Sequence, residues 1–242
     1  MFERRIRLDY YMCDTNRRLS PPMLFLLLND ILGYNVETYG AGADYHIKRQ
    51  LAWVLVEYEI DIIRMPKMEE TVRVGTLPYS FKRATGYRIY DVKSENGDVL
   101  IKGKGKFVLI NLKNKTMVKP DQTLLDKFKD AHKTPISLDF TKIRPSRTNL
   151  IDCKTLEIPN AFTDEYGHMN NAYYIRIAYE YLPRDILDKA SFSKIKVLFK
   201  KECFAGDKVN LKYYQEEAGI WIDVHADDHV AASVYFQIKT KR

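Results

Sequence analysis

One order of elements, a strand, a helix and then a run of strands, occurs twice along these 242 residues. A chain built that way must bury two helices against antiparallel strands. In the first copy Glu3 to Tyr11 alternates as a strand. Ser20 follows as an N-cap, and Pro21 suits the first helical position, where its missing N–H would have no partner anyway. The run Met23-Leu24-Phe25-Leu26-Leu27-Leu28, continued by Ile31 and Leu32, is apolar on every side, which predicts a helix surrounded by protein. Leu51 to Ile63 is β-rich and stops at Met65-Pro66-Lys67-Met68; Glu70 to Leu77 begins the next strand. Tyr87 to Lys93 and Val99 to Ile110 flank Ser94-Glu95-Asn96-Gly97-Asp98, whose Asn-Gly pair supplies the positive φ angles of a tight hairpin.

Lys113 to Arg147 is rich in lysine and broken by Pro120, Pro135 and Pro145. It reads as a linker crossing the molecule, with a short helix expected over Thr123 to Ala131. The order then returns: a strand at Thr155 to Ile158, a helix from about Asn170 to Leu182, and strands near Ile195 to Phe199, Lys208 to Tyr214, Ile220 to His225 and Val230 to Ile238. Aligning the two helix entrances sets Asp14 opposite Asp164 and Ser20 opposite Asn170, both at an offset of 150 residues, while Glu70-Thr71-Val72 faces Asp207-Lys208-Val209. The expected class is α+β: each half is an antiparallel sheet wrapped around a central helix and resembles a hot-dog fold, so that the whole resembles a tandem double hot-dog. The boundaries fall at 1–118 for the first half, 119–148 for the linker and 149–242 for the second half.

Hydrophobic residues make up 45% and charged residues 29%, the composition of an ordinary globular protein. The apolar run in the first helix is far shorter than the roughly 20 residues that cross a bilayer. Met1-Phe2-Glu3-Arg4-Arg5-Ile6-Arg7 lacks the apolar stretch and small-residue cleavage site of a secretory signal, so a cytoplasmic location is expected. Cys13, Cys153 and Cys203 are an odd number at wide spacings with no Cys-x-x-Cys pair, and are expected to be reduced thiols. Five histidines without a His-Glu-x-x-His pattern give no case for a metal, and no cofactor is expected. The net charge of +7 and pI near 9.1 favour an acidic partner. No helix-turn-helix, zinc finger or aromatic-plus-basic signature points to nucleic acid.

Chemistry concentrates in the stretch from Asn160 to Ile175. A carboxylate (Asp164), a glycine (Gly167), a histidine (His168) and two asparagines (Asn170, Asn171) converge there on a helix N-terminus. Unpaired backbone N–H groups and the helix dipole stabilise negative charge at such a place. An acyl oxyanion suits it, with Gly167, Asn170 and Asn171 as its candidate holders. The plainer alternative is that Asp164 and the asparagines cap the helix while His168 bonds a loop.

The pattern Asp-x-x-Gly-His-x-Asn-Asn-x-x-Tyr-Ile resembles the signature of hot-dog thioesterases, and its surroundings resemble the acyl-acyl carrier protein thioesterase family. Leu51-Ala52-Trp53-Val54-Leu55 through Ile63, Thr71 to Thr76, Tyr87-Arg88, Asn96-Gly97 and Phe107-Val108-Leu109-Ile110 match that family's first domain in order and spacing. In the family a Glu-Cys pair follows the histidine on the next strand, and here Cys203 of Glu202-Cys203 lies 35 residues beyond His168. The resemblance implies catalytic positions at Asp164, His168, Glu202 and Cys203. Tyr166 stands where much of the family has asparagine. Asp14-Thr15-Asn16-Arg17-Arg18-Leu19-Ser20 lacks the glycine, histidine and asparagine pair, so the first half is expected to be silent.

Two mechanisms stay open on the residues alone. Either Cys203 attacks after losing its proton to His168, or a carboxylate with His168 activates water, and an isolated cysteine is more often a small buried hydrophobe; the second is favoured, because the resemblance to hot-dog sites of the Asp-x-x-Gly-His kind implies it and Asp164 and Glu202 supply two candidate bases. The first helix with Trp53, Leu55 and Tyr58 is the expected wall of an acyl slot, although each of these residues taken singly is expected simply to pack. The resemblance implies hydrolysis of fatty acyl-acyl carrier protein to free fatty acid and holo carrier protein in fatty acid biosynthesis. The alternatives are an acyl-CoA thioesterase of the same fold and a non-catalytic binder of acyl thioesters. Acyl carrier protein is the expected partner, met by Lys127, Lys129, Lys142, Arg144 and Arg147, and a homodimer is compatible with the fold.

Overall fold

The computed structural model describes residues 1–128, 138–164, 167–189, 191–217 and 219–239. The first half contributes β1 (Phe2–Arg7), α1 (Pro21–Thr38), α2 (Ala43–Ile47), β2 (Leu51–Ile62), β3 (Thr71–Lys82), β4 (Thr85–Ser94) and β5 (Val99–Asn111). α3 (Gln122–Lys127) lies in the linker. The second half supplies β6 (Leu150–Glu157), α4 (Asn171–Glu180), α5 (Arg184–Lys189), β7 (Phe192–Phe199), β8 (Lys208–Glu216), β9 (Gly219–Ala226) and β10 (His229–Ile238). The strands run in the order β1-β3-β4-β5-β2-β7-β10-β9-β8-β6. β2 and β7 join the halves, pairing antiparallel from Glu57↔Leu198 to Asp61↔Lys194, so the two sheets are one. α1 and α4 pack against each other on one side of it, and α1 buries Leu24, Phe25, Leu27, Leu28 and Ile31.

The local chemistry of the chain sets these elements. Ser20 caps α1 through extended backbone with Pro21 at the first helical position, although its hydroxyl makes no capping bond. The Asn96-Gly97 turn closes with Gly97 alone of the pair at positive φ, +94, and its N–H 3.0 Å from the Ser94 carbonyl. β3 continues past Leu77 because Pro78 sits beside a bulge, where the ladder already skips a bond and a missing N–H costs little. β1 stops at Arg7, and Tyr10–Met12 form a single 3-10 turn. β6 begins at Leu150, ahead of the expected Thr155. α3 starts behind Asp121, whose carboxylate accepts the Leu124 N–H, and ends at Lys127; Lys129, Ala131 and Pro135 lie outside the described residues.

The repeat extends to individual hydrogen bonds. Asp14 donates its N–H to the Arg18 carbonyl and accepts the Arg18 N–H at 3.0 Å; Asp164 donates to the His168 carbonyl and accepts the His168 N–H at 3.2 Å. The left-handed position of the turn is Arg17 in one half and Gly167 in the other. Leu19 N–H meets the Pro66 carbonyl and Met169 N–H the Cys203 carbonyl, both at 2.8 Å.

The linker straps the seam between the halves. Thr141 donates its N–H and hydroxyl to Glu59 on β2 at 2.7 and 2.8 Å, and its carbonyl accepts from Lys196 on β7. Glu59 is 1% exposed and also meets Lys104 and Lys194 at 2.9 and 3.1 Å. Further along, Arg147 reaches the buried Asp223 at 2.6 Å.

Candidate active site

The turn that leads into α4 delivers Asp164, Gly167, His168, Asn170 and Asn171 to one place, and the loop between β7 and β8 brings Glu202 and Cys203 alongside. The two meet through a bridge between His168 and Phe204, with the Phe204 ring edge-on to the imidazole at 5.0 Å. Glu202-Cys203 therefore sits in a loop, and the expectation of a strand position is corrected. His168 Nε2 lies 3.7 Å from Glu202 Oε2, with both side chains partly open to solvent at 29% and 42%.

Cys203 is fully buried. Burial pushes its thiol above the ordinary range against a smaller opposing pull from the Tyr174 hydroxyl, and that hydroxyl also accepts the Cys203 N–H at 3.0 Å. A thiol held in its protonated form is a poor nucleophile.

The first backbone donors of α4 divide unequally. Gly167 N–H is taken by the Asp164 carbonyl, Asn170 N–H by the Phe162 carbonyl and Tyr173 N–H by the Asn170 carbonyl. Asn170 Oδ1 accepts the Ala172 N–H at 3.0 Å. Asn171 N–H has no hydrogen-bond partner among the described residues. Gly167 thus serves the turn, where φ +78 suits a residue without a side chain, and the donor left for an incoming anion is the Asn171 N–H.

Sequence reasoning missed the residues that tie this site to the first half. Asn29 of α1 donates to Asn170 Oδ1 at 3.3 Å and accepts from the Tyr58 hydroxyl at 3.3 Å, and Tyr58 meets the Tyr90 hydroxyl at 3.1 Å. Burial pushes the Tyr58 hydroxyl up to about 12, so it stays a donor. The available signal was polarity out of place, since Asn29 and Asn35 interrupt a helix that is otherwise apolar on its inner side. Farther along α1, Leu32 and Trp53 border a cavity of about 100 Å³, while Leu55 is buried in the main core. The described residues gather no cluster of metal ligands, and none of their helices is long and apolar enough to cross a membrane.

The family model for the acyl-ACP thioesterase N-terminal domain matches residues 1–128, and that for the C-terminal domain matches residues 153–241. A chloroplastic acyl-[acyl-carrier-protein] hydrolase of Cuphea viscosissima is 25% identical over 73% of this chain and 42% of its own length. A chloroplastic oleoyl-acyl carrier protein thioesterase of Coriandrum sativum is 24% identical over 83% of this chain and 58% of its own length. The chain spans about half the length of these curated relatives. Among solved structures, a 12:0-ACP thioesterase from Umbellularia californica superposes with a TM-score of 0.89 at 16% identity, covering 99% of this chain and 97% of that one. An acyl-ACP thioesterase from Bacteroides thetaiotaomicron gives 0.85 at 18% identity, covering 98% and 97%. The fold is the double hot-dog.

Proposed function

This chain belongs to the acyl-ACP thioesterase family, and we propose on that footing that it hydrolyses fatty acyl-acyl carrier protein to free fatty acid and holo carrier protein. The observation that carries the reading is the approach of His168 Nε2 to Glu202 Oε2 at 3.7 Å, beside a helix N-terminus that keeps one backbone donor open. Glu202 and His168 take the proton of a water whose oxygen attacks the thioester carbon. Negative charge then builds on the carbonyl oxygen, where the Asn171 N–H and the α4 dipole favour it. The carbon–sulfur bond breaks, and the departing thiolate collects the proton from His168.

Asp164 acts as a positioning residue in this scheme, because its carboxylate holds the His168 N–H just as Asp14 holds Arg18 in a half without His168, Glu202 or Cys203 equivalents. Arg18, Met65 and Pro66 occupy the matching places there. Incubating the protein with acyl-carrier protein and acyl-CoA thioesters of graded length and measuring free thiol tests the reading. Release from acyl-carrier protein supports it, preference for acyl-CoA moves the substrate to coenzyme A, and no release from either sinks hydrolysis and leaves a binder.

Docking of the acidic carrier falls to Lys142 and Arg144, which are exposed in the linker. Arg147 is engaged with Asp223, Lys127 lies over the Tyr45 ring, and Lys129 lies outside the described residues. Three free thiols support a reducing compartment such as the cytoplasm, and fractionation of source cells tests it. Exposed Leu150 and Ile151 on the edge strand β6 support a homodimer, which light scattering reads directly.

A further inference from the structure

Arg88 is 6% exposed, deep beneath α1. Its Nη1 donates to Asn35 Oδ1 at 2.7 Å and to Thr76 Oγ1 at 3.1 Å. Among the described residues the rest of the guanidinium has no hydrogen-bond partner, and no carboxylate pairs with it. The electrostatic neighbours it does have are the hydroxyls of Tyr90, Tyr58 and Tyr39. An arginine stays charged wherever it is put, and a charge withdrawn from water without a counter-charge is strongly unfavourable. Elsewhere in this protein buried charges are answered: Glu59 by three lysines, Asp223 by Arg147.

The unanswered cation faces the cavity of about 100 Å³ walled by Leu32, Val36, Trp53, Phe81 and Phe128. His46, also on the wall, is kept toward its neutral form by burial. The cavity therefore carries one positive charge and, among the described residues, no negative one. Its position follows from α1. Asn29 touches the N-cap of α4, and Leu32 and Val36 lie three and seven residues farther on, about 4.5 to 10.5 Å along the axis at the helical rise. An acyl chain whose thioester sits at His168 and that runs past Asn29 along α1 would be led toward this cavity.

We infer that this cavity is the far end of the acyl slot and takes a chain that bears an oxygen acceptor there, a carboxylate or a hydroxyl, with the Arg88 guanidinium as its donor. The inference rests on the thioesterase reading for the placement of the thioester. A plain methyl end would leave the guanidinium facing hydrocarbon. An oxygen at that point completes its hydrogen bonds, and a carboxylate does so with two parallel bonds and a matching charge.

The test is kcat/KM of the full chain for three medium-chain thioesters on one carrier, alike except for a methyl, hydroxyl or carboxylate at the ω carbon. Turnover of an oxygen-bearing chain should exceed that of the methyl chain on the order of 10- to 100-fold, and the better of the two identifies the acceptor. Arg88→Met should abolish that preference; Arg88→Gln, a second variant of similar length, should keep part of it for the hydroxyl and lose it for the carboxylate. A parent enzyme that prefers the methyl chain, or a preference unchanged in both variants, overturns the inference. If no thiol is released from any of the three, the hydrolase reading fails instead. Calorimetry of the parent with a medium-chain dicarboxylic acid against its monocarboxylic counterpart then still decides for the cavity, tighter binding of the diacid supporting it and equal or weaker binding overturning it.

Discussion

Asp164 and Glu202 both engage His168, the first at its backbone and the second at its imidazole. Asp164 Oδ1 accepts a backbone N–H inside a turn that the first half reproduces, whereas Glu202 points its carboxylate at the imidazole from a partly open loop. Glu202→Gln and His168→Ala should each lower kcat on the order of 10²- to 10⁴-fold, the range for loss of a general base. Asp164→Asn preserves an oxygen acceptor for the His168 N–H, so its loss should be clearly smaller, about tenfold at most if positioning is all it supplies. Measured kcat for the three variants decides, and equal losses in all of them would return Asp164 to the chemistry. Cys203→Ala removes a buried sulfur whose thiol is held protonated. It should cost on the order of 1 kcal/mol in stability, leave most of kcat, and yield no acyl adduct by mass spectrometry of enzyme quenched during turnover.

At the scale of elements, the weight falls on the β2–β7 seam. Burial would raise the Glu59 carboxyl, but bonds from Lys104, Thr141 and Lys194 outweigh it and hold the group at about 2 against 4.5 for a free glutamate. A carboxyl depressed in the folded state stabilises above its unfolded value, and that contribution is lost as pH falls from about 4.5 to about 2. The urea midpoint should therefore drop through this window, and in Glu59→Gln that part of the drop should flatten. The same substitution takes from Lys104 its one carboxylate among the described residues, while Lys194 keeps Asp61 and Lys196 keeps Glu57, and it should cost about 3 kcal/mol at neutral pH, read from denaturant unfolding.

Sequence made some of these elements plain and hid others for physical reasons. The apolar run of α1, the Asn-Gly hairpin and the paired helix entrances are local signals, and each appears where the residues put it. α2 and α5 are single short turns stabilised by contacts from elsewhere, so no periodicity announces them. The Asp164–His168 turn was legible from its spacing. The strap of Thr141 over Glu59 and the Asn170–Asn29–Tyr58–Tyr90 chain join residues up to 141 positions apart, which only the folded sheet brings together.

For the molecule as a whole, one ten-stranded sheet means that the halves share their central pairing rather than merely touching. Calorimetry should give a single unfolding transition with matching calorimetric and van't Hoff enthalpies; two resolved peaks would show that the seam does not couple them. With a net charge of +7, turnover of acyl carrier protein substrates at low concentration should fall as ionic strength rises, since attraction between separated charges is screened over about 8 Å at physiological salt. Reversing Lys142 and Arg144 to glutamate should raise KM for carrier-borne substrate more than for acyl-CoA, and an equal rise for both would place docking elsewhere.

The seam also dictates a timetable for the ribosome. β2 leaves the exit tunnel before either partner; β5 closes one edge once it is made, and the strand that closes the other, β7, begins only at Phe192. For the whole time it takes to synthesise the intervening 129 residues between Ile62 and Phe192, a nascent chain carries an unpaired strand edge with Glu59 still lacking its β7 lysines, a ready template for the same strand of a neighbouring nascent chain on the polysome. Slowed translation across the linker should thus raise the aggregated fraction of newly made protein, and codon changes confined to residues 113–147 are enough to measure it.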